Sequence, residues 1–486
     1  MASGAQKQEA SAPLHIVVFP WLAFGHLIPF LELSKRLARR GHAEERRQAP
    51  AGAGRFRLVA LPLPAVHGLP EGAESTADVP PEKVELLKVA FDGLAAPFAD
   101  FLAAACVGDR RSGEDEAGLG RRPDWIVHDF AHHWLCPIAD KHQVPGAMFV
   151  IVTGTMFAYQ GPRRENIAHP RVTVDEFMPM PRWFPSPSSL AFRRHEAEWI
   201  AAAAAQPNAS GVSDGDRFWQ AEQRCRLLVF RSCPEIEPGV FPLLADLYGK
   251  PAIPAGLLLP EDDRDDVERG GDNGSGQARS GALEWLDEQP PGSVLYVALG
   301  SEAPVTAEGV RELAIGLELS GVRFLWALRR PSSAAAGTPP LLPDGFEART
   351  RGRGAVCVGW VPQVQVLAHG AVGGFLTHCG WGSVAENLRF GRPLVMLPFV
   401  VDQGLIARMM AARGVGVEVA RRDDGWFGGD DVAAAVRRVM AEEEGKVLAS
   451  NARRLKEVVV GDDGGRQERY VDELEGCLRR HCFRSG

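Results

Sequence analysis

Short apolar segments that alternate with amphipathic ones constrain the fold of this 486-residue chain more than any other feature. The apolar run at residues 14–20 has the length of a fully buried strand, and a loop separates it from a segment with helical spacing. Pro29 suits the first turn of that helix, and Gly41 suits the position just past its end. This strand–loop–helix order is how a doubly wound α/β domain begins.

The second half of the chain repeats the same alternation. Thr306 suits the cap of a helix that Gly321 closes. The predicted strands there are apolar on both faces, which indicates a buried parallel sheet. They span residues 295–300, 323–329, 355–360, 372–378 and 393–400. We therefore predict an α/β protein of two doubly wound, Rossmann-like domains that face a central cleft, where ligands of such folds bind.

Composition shifts along the chain predict where these domains meet. Residues 261–281 are charged and rich in glycine, which is typical of an exposed linker. We expect an N-terminal domain over residues 1–260 and a second domain over 282–465. A C-terminal helix over 466–486 is expected to pack back on the first domain.

Charge and cysteine content exclude several classes of protein. The chain has 54 Lys and Arg against 62 Asp and Glu, a net charge of −8 with no basic block, so nucleic-acid binding is not expected. Its eight cysteines form no CxxC pair, which argues against a disulfide framework or a structural zinc site.

The sequence also indicates a cytoplasmic protein without an integral membrane segment. The first 13 residues are polar and small, and they lack the apolar stretch of a signal peptide. The longest charge-free stretch, residues 143–162, contains two prolines and three glycines, so we interpret it as a buried strand and a loop.

Residues 360–403 are the segment richest in chemistry. At its centre a predicted strand runs through THCGWGS into a helix, and the exposed amide groups at such a junction make an anion site. His378 and Ser383 could add donors to a phosphate. An ordinary tight turn explains a lone HCG equally well.

The whole segment removes that ambiguity, because it resembles the 44-residue signature of plant family-1 UDP-sugar glycosyltransferases. The resemblance extends over most of the chain, from PWLAFGHLIP near its start to LYVALGS in its second half. The matching positions in the signature are Trp360, Gln363, the HCGW core at 378–381, Ser383, Glu386, Gly391, Pro393, Pro398, Asp402 and Gln403. The resemblance implies the GT-B fold, with the acceptor bound by the first domain and the UDP-sugar by the second.

The resemblance also implies roles for individual residues. Trp360 would stack on uracil, Gln363 would reach uracil or ribose, and Glu386 would accept from ribose hydroxyls. The pyrophosphate would lie against His378, Ser383 and Ser301, and the sugar hydroxyls against Asp402 and Gln403, a pairing similar to glucose-using members. The full expected donor site consists of Ser301, Trp360, Val361, Gln363, His378, Gly380, Trp381, Gly382, Ser383, Glu386, Asp402 and Gln403.

His26 and Asp129 are the expected catalytic pair. His26 follows the first predicted strand and precedes the first helix, whose amino terminus disfavours imidazolium and leaves a neutral base. In the family a histidine of this kind deprotonates the acceptor hydroxyl. Asp129, at the end of a predicted strand, would orient it.

The acceptor site is less sharply defined. The His-His-Trp run at 132–134 and the segment 60–76 resemble the branch of the family that extends sugar chains on terpenoid and flavonoid glycosides. Simple core packing explains such aromatic residues equally well. The expected acceptor-site residues are Trp21, Phe24, His133, Trp134 and Thr153.

No metal or cofactor is expected. His128 and His132 are four residues apart, but a strand-to-loop transition separates them and the chain has no HExxH motif. The absence of GxGxxG after a predicted strand disfavours a nicotinamide dehydrogenase. The partners are then a UDP-sugar and a small-molecule acceptor, bound by a monomer.

Two positions depart from the family pattern. Gly382 stands where the family usually has an asparagine that helps bind the donor phosphates. After Gly41, residues 42–54 read HAEERRQAPAGAG instead of an apolar second strand. Either the later run at 56–63 serves as that strand, or a strand is missing from the sheet.

The predicted function is that of an inverting glycosyltransferase, which moves glucose from a UDP-sugar to a hydroxyl of a plant secondary metabolite or its glycoside. Two alternatives stay open. One is the same enzyme class with UDP-rhamnose or UDP-xylose as donor. The other is a catalytically impaired nucleotide-sugar-binding relic, which the two departures would explain.

Overall fold

A computed structural model shows two parallel β-sheets, each flanked by helices. It describes residues 13–40, 57–107, 122–185, 188–260, 275–300, 303–328, 341–359, 361–461 and 465–482. The described helices are α1 Phe24–Arg40, α2 Val84–Asp92, α3 Ala95–Val107, α4 Leu135–Lys141, α5 Gly154–Gln160, α6 Arg163–Ala168, α7 Val174–Phe177, α8 Arg194–Ala205, α9 Asp214–Arg224, α10 Val240–Tyr248, α11 Ser275–Asp287, α12 Ala307–Ser320, α13 Phe346–Arg349, α14 Gln363–Ala368, α15 Trp381–Phe390, α16 Gln403–Ala412, α17 Gly429–Met440, α18 Glu443–Val459 and α19 Gly465–His481, with short 3₁₀ turns at Thr76–Asp78 and Pro81–Lys83.

All strand pairs are parallel, which confirms the predicted doubly wound α/β fold. The first sheet has the order β1-β2-β3-β4-β5, and the second has the order β11-β10-β9-β6-β7-β8. The strands are β1 Ile16–Phe19, β2 Trp125–His128, β3 Gly146–Val150, β4 Leu227–Phe230, β5 Ala252–Pro254, β6 Val294–Ala298, β7 Arg323–Leu328, β8 Gly354–Val358, β9 Val372–Thr377, β10 Leu394–Met396 and β11 Gly416–Glu418.

Local chemistry sets the element boundaries. The Thr306 hydroxyl accepts from the backbone N–H of Gly309 at 3.0 Å, as predicted for the cap of α12, and Gly321 ends that helix at a φ of 70°. Helix α1 begins at Phe24, earlier than predicted, so Pro29 lies inside it. The missing N–H of Pro29 removes one bond of that helix without ending it.

Strand β1 is one edge of the described part of its sheet. Its residues are only half-buried, whereas those of β2 are fully buried. Of the two alternatives for the second strand, the one that uses the run at 56–63 is wrong over residues 57–63, which make no strand, and residues 41–56 lie outside the described part. Among the described residues, β1 therefore has one sheet neighbour.

The stretch 143–162 is a buried strand followed by a helix rather than a loop. Strand β3 takes up Gly146–Val150, and α5 occupies Gly154–Gln160, where a loop was expected. The Thr153 hydroxyl caps α5 by accepting from the N–H of Met156 at 3.2 Å.

The predicted linker is shorter than expected. Helix α11 starts at Ser275, inside the range 261–281, while 261–274 lie outside the described residues. Leu286 is fully buried, and Trp285 packs on the core of the second domain. These contacts anchor the carboxyl end of the helix. Each further residue towards its amino end then adds one backbone hydrogen bond, which favours a longer helix.

The last helix returns to the first domain. Val471, Leu474 and Leu478 of α19 are buried in the same hydrophobic cluster as Trp125 of β2. The indole Nε1 of Trp125 donates to the carbonyl of Leu478 at 3.0 Å, and Arg36 of α1 pairs with Glu468 at 2.7 Å. The chain thus crosses between the two domains twice.

One described stretch, Pro81–Val107, is long and apolar enough to cross a membrane by length and composition, with a mean hydropathy of 1.5 in its most apolar window. Leu87, Phe91, Phe98 and Leu102 are almost fully buried against the first sheet and its loops. These contacts account for its apolar character within the fold. All eight cysteines are free thiols.

Candidate active site

A cavity of about 860 Å³ lies between the two domains. Its walls come from residues that follow the carboxyl ends of strands in both sheets, as a doubly wound fold requires. His26 and Asp129 line it from the first domain, and Gly300 and Val400 line it from the second. The predicted central cleft is therefore present.

His26 and Asp129 form a hydrogen-bonded pair at the wall of this cavity. The Nδ1 atom of His26 lies 2.6 Å from Oδ2 of Asp129. His26 is the third residue of α1 instead of preceding it, and Asp129 directly follows β2. Because an ionised carboxylate can only accept, this bond places the proton on Nδ1, and Nε2 is the ring nitrogen that can take up a proton.

Asp129 is held as an anion. Burial by itself would raise the pKa of Asp129, but the charge and hydrogen bond of His26 outweigh this and lower it below its ordinary value. The backbone N–H groups of Trp21 and Phe130 also donate to the carboxylate, at 3.1 and 2.7 Å. The carboxylate is thereby fixed in position and in charge.

The neighbouring histidines belong to the core. Burial lowers the pKa of His128 to about 4 and that of His132 to about 3, so both are neutral near pH 7. The His132 ring packs edge-on against Phe19 and Phe91, with centroids 4.7 and 4.8 Å away. No group of three metal-ligating side chains occurs among the described residues.

Three predicted donor-site residues meet at the start of α14 and on α15. The Gln363 amide donates to Glu386 Oε2 at 2.8 Å and lies 3.3 Å from Ser383 Oγ. Burial raises the pKa of Glu386, and the Gln363 hydrogen bond and the Arg231 charge offset only part of this. A carboxylate and a hydroxyl are thus presented together, a suitable set for sugar hydroxyls and phosphate oxygens.

His378 lies in a cradle of two glycines. A Cβ atom at Gly300 would lie 2.6 Å from ring atom Cε1, and one at Gly380 would lie 2.4 Å from Nε2, so only glycine fits at either position. Burial lowers the pKa of His378 to about 4, and its Nδ1 makes no hydrogen bond among the described residues. The ring is therefore neutral and retains one unused polar atom.

Asp402 and Gln403 stand at the start of α16 in the second domain. Burial raises the pKa of Asp402 to about 7, and attraction to His26 lowers it only in part. Its Oδ2 makes no hydrogen bond among the described residues. The side-chain Oε1 of Gln403 accepts from the backbone N–H groups of Phe399 and Val400, at 2.8 and 3.1 Å, and so fixes the preceding loop.

The other predicted donor residues are placed as follows. Gly380 precedes α15, Trp381 and Gly382 begin it, and Trp381 is 3% exposed. Val361 is buried in the core of the second domain. Ser301 and Trp360 lie outside the described residues.

Of the five predicted acceptor residues, the structure places one on the cavity wall, Trp21. Phe24 is 48% exposed at the start of α1 and is not among the residues of the cavity wall. His133 lies 3.2 Å from an Arg217 nitrogen, and Trp134 packs on aromatic rings of the core. Thr153 is fully buried as the cap of α5. Aromatic and polar side chains near a site fill the core as readily as they line a pocket.

Sequence reasoning missed most of the cavity wall that the first domain provides. Met156 and Phe218 line the cavity from α5 and α9 without any motif to mark them. Lys88 and Asp214 also line it and form an ion pair at 2.7 Å. These two are 126 residues apart, so only the packing of α2 against α9 brings them together.

Two Rossmann-like domains around a cleft, with a helix amino terminus in one and a His–Asp pair in the other, are the arrangement expected of a GT-B glycosyltransferase. Residues 281–458 match the family described as "UDP-glucoronosyl and UDP-glucosyl transferase". The chain is 40% identical to UDP-glycosyltransferase 91C1 of Arabidopsis thaliana over 478 residues. This match covers 96% of each chain. The chain belongs to the UDP-glycosyltransferase family and is an enzyme of that class, as predicted.

Two further relatives bear on fold and activity. Soyasaponin III rhamnosyltransferase of Glycine max is 34% identical over 481 residues, 96% of each chain. A UDP-glucosyltransferase from Polygonum tinctorium capable of glucosylating indoxyl, solved as a complex with 3,4-dichloroaniline, superposes with a TM-score of 0.72 at 26% identity. That match covers 96% of this chain and 99% of the other, which confirms the GT-B fold over both domains.

Proposed function

We propose that the protein transfers glucose, with inversion, from UDP-glucose to a hydroxyl group of a plant metabolite or its glycoside. The observation that carries this proposal is the 2.6 Å contact between His26 and Asp129 at the wall of the interdomain cavity. A polarised imidazole facing a cleft is what a general base for a hydroxyl group requires.

In the proposed reaction, Nε2 of His26 takes the proton of the acceptor hydroxyl. The hydroxyl oxygen forms a bond to the anomeric carbon on the face opposite UDP. The bond between that carbon and the β-phosphate oxygen breaks, and its electron pair leaves with UDP, so the configuration inverts. Asp129 stabilises the imidazolium that forms.

The negative charge that develops on UDP needs donors already in position. The backbone amides at the start of α15, near Gly382, and the unpaired Nδ1 of His378 support this role. We propose that these groups, with Ser301 and Ser383, replace a metal ion, and that the enzyme uses no cofactor.

We propose that residues 1–260 bind the acceptor and 282–465 bind the UDP-sugar, with Trp360 on uracil. The cavity is mostly apolar, which suits the ring system of a secondary metabolite. The Lys88–Asp214 ion pair in its wall supports a polar substituent, such as a sugar, on the acceptor. We further propose a cytoplasmic monomer.

Incubation with UDP-glucose and a panel of plant glycosides, followed by mass spectrometry, tests the proposal. The expected result is a product heavier by one hexose, with release of one UDP. If the protein binds UDP but releases no UDP from UDP-glucose with any of the acceptors, it is instead a nucleotide-sugar-binding relic.

One observation makes UDP-rhamnose the second candidate donor. A relative at 34% identity is named as a rhamnosyltransferase. Equal concentrations of UDP-glucose, UDP-rhamnose and UDP-xylose in one reaction decide between the donors. We expect the hexose product to dominate. A deoxyhexose or pentose product in excess would overturn the assignment of glucose.

A further inference from the structure

Arg231 is a buried cation at the domain interface that none of the roles above uses. It follows β4 directly and is 2% exposed. Its N–H donates to the carbonyl of Val150 at 2.9 Å, and its carbonyl accepts from the Trp381 indole at 2.6 Å. Because Trp381 begins α15, a residue of the first domain is fixed at the amino end of a helix of the second.

The guanidinium of Arg231 is only partly satisfied. Its Nε donates to the carbonyl of Leu257 at 2.9 Å, and no described residue accepts from its two terminal nitrogens. Burial lowers the pKa of Arg231 to about 10, while Glu386 and Glu32 raise it in part, so the group stays charged at neutral pH. Arg231 forms no salt bridge with a carboxylate of the described residues.

The terminal nitrogen Nη1 lies beside Gly382. A Cβ atom built at Gly382 would be 3.4 Å from Nη1, an ordinary van der Waals distance. Gly382 is the second residue of α15, a ten-residue helix whose first-turn amides and dipole favour an anion. A buried cation with unused donors and a helix amino terminus therefore converge on one point.

The two terminal nitrogens are not among the fully buried unpartnered atoms of the described residues, so they reach open space where a ligand can complete the hydrogen bonds of this cation. A neutral sugar hydroxyl would leave the positive charge uncompensated. A pyrophosphate supplies both the negative charge and several acceptor oxygens, and an arginine can contact two of them at once. The chemistry at this point thus selects a diphosphate.

We propose that Arg231 binds the pyrophosphate of the UDP-sugar and takes over, from the opposite domain, the place of the asparagine that position 382 usually carries in the family. This inference rests on the proposed function, since it requires a UDP-sugar in the cleft. Gly382 then leaves space for the Arg231 guanidinium, which replaces the missing asparagine side chain. The pyrophosphate is bound by both domains.

Calorimetric binding of UDP and of uridine to the Arg231→Gln variant tests the inference. Loss of a hydrogen bond to a charged group weakens binding by about 10- to 100-fold, and we expect this for UDP. Uridine lacks the pyrophosphate, so its affinity should be unchanged, which also shows that the variant is folded. Arg231→Lys, which keeps the charge but not the planar fork, should fall between the wild type and Arg231→Gln.

The double variant Arg231→Gln with Gly382→Asn is the matched rescue. An asparagine at 382 should restore part of the lost UDP affinity while leaving uridine binding unchanged. Equal UDP affinity in the wild type and Arg231→Gln would overturn the inference, as would a parallel loss of UDP and uridine binding, which a structural role would cause. If the wild type binds neither, the proposed function itself fails.

Discussion

At the scale of single residues, the protonated state of His26 is stabilised by a hydrogen bond to Asp129, 103 positions away in the chain. His26 lies in the first turn of α1, where the helix dipole disfavours imidazolium by about 0.3–1 kcal/mol. A hydrogen bond to an ionised carboxylate stabilises it by about 1.5–3 kcal/mol. Asp129 therefore dominates, and the pair is suited to stabilise the charge that appears when His26 accepts a proton.

Substitution of His26 by alanine should separate catalysis from binding. General-base catalysis contributes about 10²–10⁴-fold, so kcat should fall by that factor while the UDP dissociation constant changes little. Steady-state UDP release and calorimetry measure the two quantities. Ile28→Ala, two residues further along α1, 42% exposed and not part of the described cavity wall, is the control and should keep the wild-type rate. A wild-type rate in His26→Ala would remove His26 from the mechanism.

At the scale of elements, the site is assembled where helices of one domain touch the other. Glu196 of α8 pairs with Arg408 of α16 at 2.7 Å, and Arg193 pairs with Glu418 at 2.9 Å. Helix α16 begins just after Asp402, and α8 contributes Trp199 to the cavity wall. These two ion pairs thus connect the first-domain wall of the cavity with the expected sugar site.

Helices α2 and α9 contribute the Lys88–Asp214 ion pair to the described cavity wall, and we expect this pair to govern acceptor choice. Lys88→Met keeps the length of the side chain but removes a donor, at a cost of about 0.5–1.5 kcal/mol per hydrogen bond. We expect KM for a glycoside acceptor to rise about 3- to 10-fold, with KM for its aglycone unchanged. The exposed Lys141→Met, remote from the cavity, is the control. An equal effect on glycoside and aglycone would show that the pair only supports the wall.

At the scale of the whole molecule, three histidines are buried in the neutral state. Burial lowers the pKa of His128, His132 and His378 to about 4, 3 and 4. In the unfolded chain each would titrate near pH 6.5, so the unfolded state binds more protons below that value. The buried neutral histidines therefore do not lower the free energy of unfolding above pH 6.5. They lower it progressively as the pH falls from 6.5 towards 4.

Replacement of His132 by phenylalanine tests this pH dependence. The aromatic surroundings of Phe19 and Phe91 accept a non-titrating ring, and any packing cost is the same at every pH. Relative to the wild type, the variant should therefore gain about 2 kcal/mol between pH 8 and pH 5. Urea unfolding at the two pH values measures the difference. An equal offset at both would show that His132 titrates normally in the folded protein.

Much of the architecture follows from the sequence, because strands and helices are encoded by local periodicity. The buried strand at 14–20, the cap at Thr306 and the turn at Gly321 need only neighbours within a few residues. The donor motif is equally local, since Gln363, Ser383 and Glu386 lie within one 44-residue segment. Its chemistry and its family could therefore be predicted.

Contacts between distant residues were decided by the tertiary structure. The 2.6 Å contact of the expected His26–Asp129 pair, the Lys88–Asp214 pair and the position of Arg231 beside Gly382 depend on which helices and sheets pack together. Aromatic residues such as Trp134 show the same limit, because an identical side chain serves a core or a pocket. Local periodicity specifies elements, but only burial in the folded molecule specifies which of their residues face the substrate.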